Sequence, residues 1–448
     1  MSPGTVRRLS YSTYINTFVD PKYLLQGKFN NATSAAQEII VQWADMLASQ
    51  GPWSVTTSKN ISAPSGDMHD YLSWAPYYWP DCANAGNTTE LTPEQIWTTC
   101  RYVDHDGEFN PDVRWVNNTG AFGAMADAVL YNTIAWRITG KDSYASNAAS
   151  YINTWFLEES TAMNPNLNYA QMIRGPNSTT GEHTGILDLK CMTKVLTGIL
   201  TLRGASSSAW TSNMDTAMVN WTTSYISWME TNKLALEEAS ATNNHGSFYF
   251  TQLASLYLIV GNTAAAQDVT STYFSGIYQN QISAGGEQPL EAVRTRPYHY
   301  RCYNLVAMMT NAELAAYTGS DQWNTPTANG STIKHALDFT MGVPPGGDEP
   351  SELWLPVATG ATVYGNANDF YGLFLYGKDP QFGEDPYYFW NRPSDSSAWD
   401  ADAAKGLATV TSPETSSPNS TSGAGRTILT MSGKLLGLLV AGASVLVS

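Results

Sequence analysis

Five short stretches of this 448-residue chain set anion-binding and proton-transferring side chains side by side. The most compact is Asn243-Asn244-His245-Gly246-Ser247-Phe248-Tyr249-Phe250, which leads into an apolar run, Thr251 to Val260, closed by Gly261. An amide beside an imidazole can hold a substrate group and move a proton near neutral pH. The same residues also suit a plain helix start, with Asn243 and Asn244 as caps and His245 exposed in the first turn. Alone, the motif does not choose between the two.

Its company narrows the choice. The run Glu291-Ala292-Val293-Arg294-Thr295-Arg296-Pro297-Tyr298-His299-Tyr300-Arg301 packs three arginines, two tyrosines and a histidine into eight positions. The chain has only 23 Lys and Arg and a net charge of −16, so this is its best candidate for a local anion site. A structural hub of salt bridges would use the same arginines. Asn164-Pro165-Asn166-Leu167-Asn168-Tyr169-Ala170-Gln171 is rich in amides and precedes Arg174, and Glu182-His183-Thr184-Gly185-Ile186-Leu187-Asp188 opens a helix. Asp67 to Pro80 holds His69, Tyr71 and Trp74 among two prolines and five aromatics, which excludes a regular helix and leaves a surface loop or a packed plug.

Composition bounds the substrate. Charged residues are 14% of the chain against roughly a quarter in typical domains, while aromatics reach 12%, with 15 Trp and 25 Tyr. Low charge with many Trp and Tyr suits carbohydrate handling, because these rings stack on sugar faces and offer a hydrogen bond, although most of them must be core. The acidic balance excludes nucleic acid as a partner, and a polyanion can bind only where bases cluster. The acidic run Asp104-His105-Asp106-Gly107-Glu108 has its glycine too early for an EF-hand loop and reads as a solvated turn, so no metal or other cofactor is expected.

The elements that must position these residues are helices. Asn30 to Gln50 is amphipathic, and helical patterns follow at 185–203, 213–231, 247–260, 263–282 and 303–318. The links Thr139-Gly140-Lys141-Asp142, Val260-Gly261-Asn262-Thr263 and Thr318-Gly319-Ser320-Asp321 each combine a left-handed glycine with a polar cap, the signature of helix hairpins. Strand signals are scarce before residues 351–375, where a small β element is expected. The expectation is an all-α, (α/α) toroid or incomplete barrel over residues 21–400, with its cleft at the loop ends.

The ends of the chain point to the secretory pathway. Eight N-x-Ser/Thr sequons begin at Asn31, Asn60, Asn87, Asn117, Asn177, Asn220, Asn329 and Asn419. Four cysteines suit an oxidising compartment. Cys82 and Cys100 should pair, closing a loop worth about 3 kcal/mol, and Cys191 and Cys302 either pair, the favoured reading, or stay as buried thiols. A Ser/Thr/Pro-rich linker, 401–424, precedes a tail, 425–448, that ends in an apolar run too short to span a membrane and suited to a lipid-attachment signal. Residues 1–20 contain Arg7 and Arg8 but no apolar core of a leader, so a signal peptide is expected upstream. The product is expected to be a secreted or surface-anchored monomer, touching membrane only through its lipid.

Asp67–Pro80, Met163–Gly175, Gly185–Asp188, Asn243–Tyr249 and Arg294–Leu305 resemble, in order and spacing, the alginate lyase domain family. The family patterns run roughly H-D-Y-x-S-x-A-P-Y-x-W-P, M-N-P-N-L-x-Y-A-Q, N-N-H-G-T-W-Y and R-T-R-S-x-H-Y-x-x-x-N-L. This chain departs at Ser247-Phe248, at Pro297-Tyr298 and at His183, where a basic Arg is expected. The resemblance implies a helical toroid that cleaves uronate polysaccharides by β-elimination without a metal. It implies His245 and Tyr300 in acid–base roles, with Tyr298 the near rival, and Asn244 with Arg294 or Arg296 neutralising the substrate carboxylate. His299, Asn166, Tyr169, Gln171, Arg174, His183, His69, Tyr71 and Trp74 become expected substrate contacts. The rivals are a glycoside hydrolase drawing a carboxylate pair from Asp67, Asp70, Glu182 and Asp188, and an inactive carbohydrate-binding protein.

Overall fold

The helical periodicity of the sequence is realised as paired helices whose inner members are apolar on every side. In a computed structural model describing residues 14, 16–85 and 90–391, Asn118–Thr139 is buried almost continuously from Ala121 to Trp136. Met192–Gly204, Asn244–Ile259 and Pro297–Tyr317 share that character. Each inner helix packs on the next, Asn118–Thr139 on Met192–Gly204, then Asn244–Ile259, then Pro297–Tyr317. Outer partners such as Asp142–Ile152 bury one face only, through Tyr144, Ala145, Ala148, Ala149, Tyr151 and Ile152. A helix apolar all round must sit inside, and one with a single stripe must sit outside. The fold is therefore a mostly-α toroid of helix hairpins.

The three glycine links end their helices as expected, with positive φ at Gly140, Gly261 and Gly319. Small β elements exist, but early in the chain. Strands β1 (Leu72–Trp74) and β4 (Tyr169–Met172) pair in parallel, and β2 (Tyr78–Asp81) and β3 (Arg101–Asp104) pair antiparallel. Residues 351–375, where strand signals were expected, are helical instead, as Pro350–Leu353, Trp354–Tyr364 and Phe370–Lys378. A short run buried against a neighbouring helix mimics a strand in sequence, and burial on all faces removes the period that would distinguish them. The aromatic loop divides: Tyr71, Leu72 and Trp74 are a buried plug, while Tyr77 and Tyr78 remain half-exposed.

Cys82 and Cys100 form a disulfide with Cα atoms 4.6 Å apart. Cys191 and Cys302 do not pair; they are buried thiols belonging to two different hydrophobic clusters. The N-terminal residues 1–13, the linker 401–424 and the apolar tail 425–448 lie outside the described residues. Among the described residues, no helix is long and apolar enough to cross a membrane.

Inside the toroid one ion pair is wholly dry. Lys194 is buried with its Nζ 2.6 Å from Asp127 Oδ1, and it also donates to the Tyr14 carbonyl. Burial by itself would depress the ammonium pKa, but Asp127 outweighs it and the pKa is raised. Removing one partner leaves an uncompensated buried charge. Asp127→Ala should therefore cost about 3–5 kcal/mol in denaturant unfolding, and adding Lys194→Met should recover much of that loss.

Candidate active site

The N-terminal turns of the inner helices open onto one cleft of about 480 Å³. Thr119 comes from the first of these helices and Lys190 from the turn before the second. Asn244 and His245 begin the third, and His299, Tyr300 and Tyr303 begin the fourth. Unsatisfied N–H groups and helix dipoles at such ends favour negative charge, so an acidic chain acquires a cleft suited to an anion.

The Asn243–Tyr249 motif does both things its sequence allowed. Asn243 is the N-cap, its side chain accepting from the His245 N–H, while Asn244 and His245 turn into the cleft. Gly246 is required by crowding: a Cβ there would lie 2.1 Å from the Ala241 carbonyl oxygen. Asn244 is held by Glu291, whose carboxylate accepts from the Asn244 backbone N–H and from Nδ2, both at 2.7 Å. That fixes the amide, since a backbone N–H can only donate, and it leaves Oδ1 without a hydrogen-bond partner. Burial raises the Glu291 pKa, against the opposing pull of those two hydrogen bonds.

A second buried carboxylate organises the imidazoles. Glu238 is fully buried and takes His183 Nδ1 at 2.6 Å on one oxygen and His245 Nδ1 at 2.8 Å on the other. Burial alone would raise the Glu238 pKa, yet the two histidines bring it below the usual value. An ionised carboxylate only accepts, so both Nδ1 atoms carry hydrogen, and on a neutral His245 Nε2 is left as the basic atom. The Glu238 hydrogen bond raises the His183 pKa despite partial burial, which favours a cation there. His183, Glu238 and His245 are also a group among the described residues whose ligand atoms lie close enough for a metal ion, within 4.8 Å. Their mutual hydrogen bonds already satisfy the inward-facing atoms.

Tyr300 and Arg294 complete the cleft. The Arg294 guanidinium carbon lies 3.9 Å from the Tyr300 ring centroid, and its NH2 is 3.2 Å from Asp106 Oδ1. Burial and a hydrogen bond with Tyr77 push the Tyr300 phenol pKa up, and Arg294 pulls the other way. The resting form is the neutral phenol, a proton donor. Tyr298, two positions earlier on the same helix, points elsewhere and donates to the Pro350 carbonyl at 3.1 Å.

The other expected contacts divide clearly. Gln171, His183 and His299 line the cleft. Arg296 does not; it pairs with Asp348 at 2.7 Å, and Arg301 pairs with Glu287, so all three clustered arginines are in salt bridges and only Arg294, paired with Asp106, lines the cleft. His69 is tied to the Ala162 carbonyl, Asn166 to Asp70, and Tyr71 to Thr119 and Asp188 inside the core. Tyr169 packs on a small cluster beside β1, and Trp74 stacks on Arg174, away from the cleft. The carboxylates of a hydrolase are poorly placed. Asp188 accepts from Tyr71, Ser73, Thr119 and Gln171, and Asp67 and Asp70 do not line the cleft, so of the four only Glu182 is left on its wall, without a second to pair with.

Sequence reasoning missed Glu238, Glu291, Tyr77, Lys190, Tyr303 and Asp106. Glu238 stands in an ordinary helical run and Glu291 heads the arginine cluster, and both gain meaning only from what folds against them. Asp106 belongs to the acidic run taken for a solvated turn, where its approach to Arg294 was the missing fact.

The raised His183 pKa sets a pH dependence. Its pairing with Glu238 stabilises fully below the ordinary histidine value of 6.5 and is lost as pH rises through the raised value. Glu238→Gln should lower the His183 titration midpoint in a histidine-resolved NMR titration and flatten the fall in unfolding stability across that window.

With this geometry in place, the relatives are informative. A structure of an alginate lyase from Bacteroides ovatus is 27% identical, covering 88% of this chain and 99% of its own, with a TM-score of 0.67. Alginate lyase A1-III from Sphingomonas species A1 is 13% identical with a TM-score of 0.39, covering 71% and 80%, which is too remote to argue from. None of the curated proteins matches. The family model described as alginate lyase matches residues 54–350. On that match the chain belongs to the alginate lyase family and is a polysaccharide lyase.

Proposed function

We propose that this lyase cleaves a uronate polysaccharide of the alginate or polyglucuronate kind by β-elimination, with His245 as base and Tyr300 as acid. The observation that carries the proposal is the convergence of Asn244, His245, Arg294 and Tyr300 on one cleft beside two carboxylates that fix their orientation. The Bacteroides ovatus relative, named an alginate lyase, supports the substrate class.

Elimination removes the proton at C5 of a uronate and expels the oxygen at C4. The substrate carboxylate opposes the developing carbanion and must be neutralised first. Arg294 and the free Nδ2 hydrogen of Asn244 are suited to donate to its oxygens as they become more negative. His183, its pKa raised by the Glu238 hydrogen bond, is biased towards its positive form in the same cleft. His245 takes the proton through Nε2, because Glu238 occupies Nδ1. Tyr300, kept as the neutral phenol, gives its phenolic proton to the leaving oxygen.

The protein is further proposed to be secreted, glycosylated and lipid-anchored. In support, the six described sequon asparagines, at 31, 60, 117, 177, 220 and 329, are all exposed.

A panel of uronate polymers, followed by ultraviolet absorbance, tests the reaction, since only elimination leaves an unsaturated sugar end. Tyr300→Phe should lower kcat by about 10²–10⁴-fold with a smaller change in KM. Asn244→Ala should cost on the order of a hundredfold in kcat, the loss of one oxyanion-type donor. Reducing-sugar release without ultraviolet absorbance would show hydrolysis instead. Binding without turnover would show a carbohydrate-binding protein.

A further inference from the structure

A second depression of about 350 Å³ adjoins the cleft, and Glu182 lines both. Three separate chain segments run from one into the other. β3 has Asp104 in the cleft and Arg101 and Tyr102 in the second depression. The segment that begins as β4 has Gln171 in the first and Arg174 in the second. The turn before the second inner helix has His183 in the first and Thr180 in the second. Three walls shared in this way make one continuous groove. Along β3 alone it extends about 10 Å beyond Asp104, at roughly 3.3 Å per strand residue.

The far end of the groove is built around a cation short of partners. Arg174 is 6% exposed, and its guanidinium is clamped between the rings of Trp74, at 4.4 Å, and Tyr102, at 4.3 Å. Neither terminal nitrogen has a hydrogen-bond partner, and its ion pair among the described residues is with Asp112, at 3.8 Å. Burial lowers its pKa, with Tyr102 and Asp112 opposing. A charge held this way projects a field that water does not screen. Arg101 stands exposed on the rim, where it can supply direct donors.

We propose that this end of the groove is a distal subsite for the carboxylate of a further uronate unit. Arg101 makes the contact, and Arg174 supplies a fixed positive potential behind it. The inference rests on the uronate reading of the cleft and extends it to chain-length preference. It explains why Arg174, expected as a substrate contact, lies away from the reacting groups and yet lines a polar groove.

The test compares size-fractionated uronate oligomers of the polymer that the wild-type enzyme degrades best, using full-length protein made without N-glycans, because Asn177 on the same wall heads a sequon. In Arg101→Ala, kcat/KM for the long oligomers relative to the shortest cleaved one should fall about tenfold, as for loss of a charge-assisted hydrogen bond. Arg101→Glu should lower the ratio further, and added salt should erode the wild-type preference for long oligomers. Arg174→Met, which keeps the ring packing, should lower the same ratio. An unchanged ratio in both Arg101 variants, with the wild type active, would overturn the subsite and leave the reaction standing. A wild type that eliminates no uronate polymer would overturn the underlying reading itself.

Discussion

The constraint on which the site depends is that the inner helices of the toroid all begin at the same end. Hairpin connectivity requires it: each outer helix carries the chain back, so each inner helix restarts beside its predecessor. The residues of the first turns are thereby gathered from positions as distant as Thr119 and Tyr303. No single motif spans the cleft: helix starts and the turns before them supply one part of it, and the β segments supply Tyr78, Asp104 and Gln171. The packing that makes the inner helices apolar on all sides also fixes where their polar first turns must go.

Buried carboxylates then convert proximity into chemistry. Glu238 and Glu291 are both fully buried, and each spends both oxygens on residues of the cleft. Burying an acid is unfavourable unless its lone pairs are filled, so the hydrogen bonds that stabilise these groups also fix their partners. Asn244 cannot turn, and His245 and His183 present defined nitrogens. Asp188, saturated by four side chains, does the same for Gln171 and Thr119 and is thereby removed from any acid–base role of its own.

Much of this was legible in the chain. The glycine-ended hairpins gave the fold, because a left-handed helix end leaves a local signature that does not depend on tertiary context. Asn244 and His245 were legible in the Asn243–Tyr249 motif, and Tyr300 through the family resemblance of the Arg294–Leu305 stretch, although their helices begin earlier than the periodicity showed. What was not legible depends on contacts far apart in sequence. Arg294 and Arg296 differ by two positions and both end in salt bridges, but Asp106 holds the first at the cleft and Asp348 holds the second away from it. The Cys191 and Cys302 thiols, too, are separated by belonging to different clusters, a fact no spacing records.

The net charge of −16 is at odds with the proposed polyanionic substrate until the acids are located. Of the acids at the cleft, Asp106 lies against Arg294, Asp188 is saturated and Glu238 is shared between two imidazoles, which leaves Asp104 and Glu182 on its wall. Against these stand Lys190, Arg294, a His183 biased towards its charged form and the converging helix N-termini. Long-range repulsion between chain and polymer is screened beyond about 8–10 Å at physiological salt. Short-range attraction in a half-enclosed groove is not. The acidic surface thus limits where a polyuronate can settle rather than whether it can. A weakly held polymer outside the groove also leaves more readily after cleavage, so the same charge balance favours both selective entry and release.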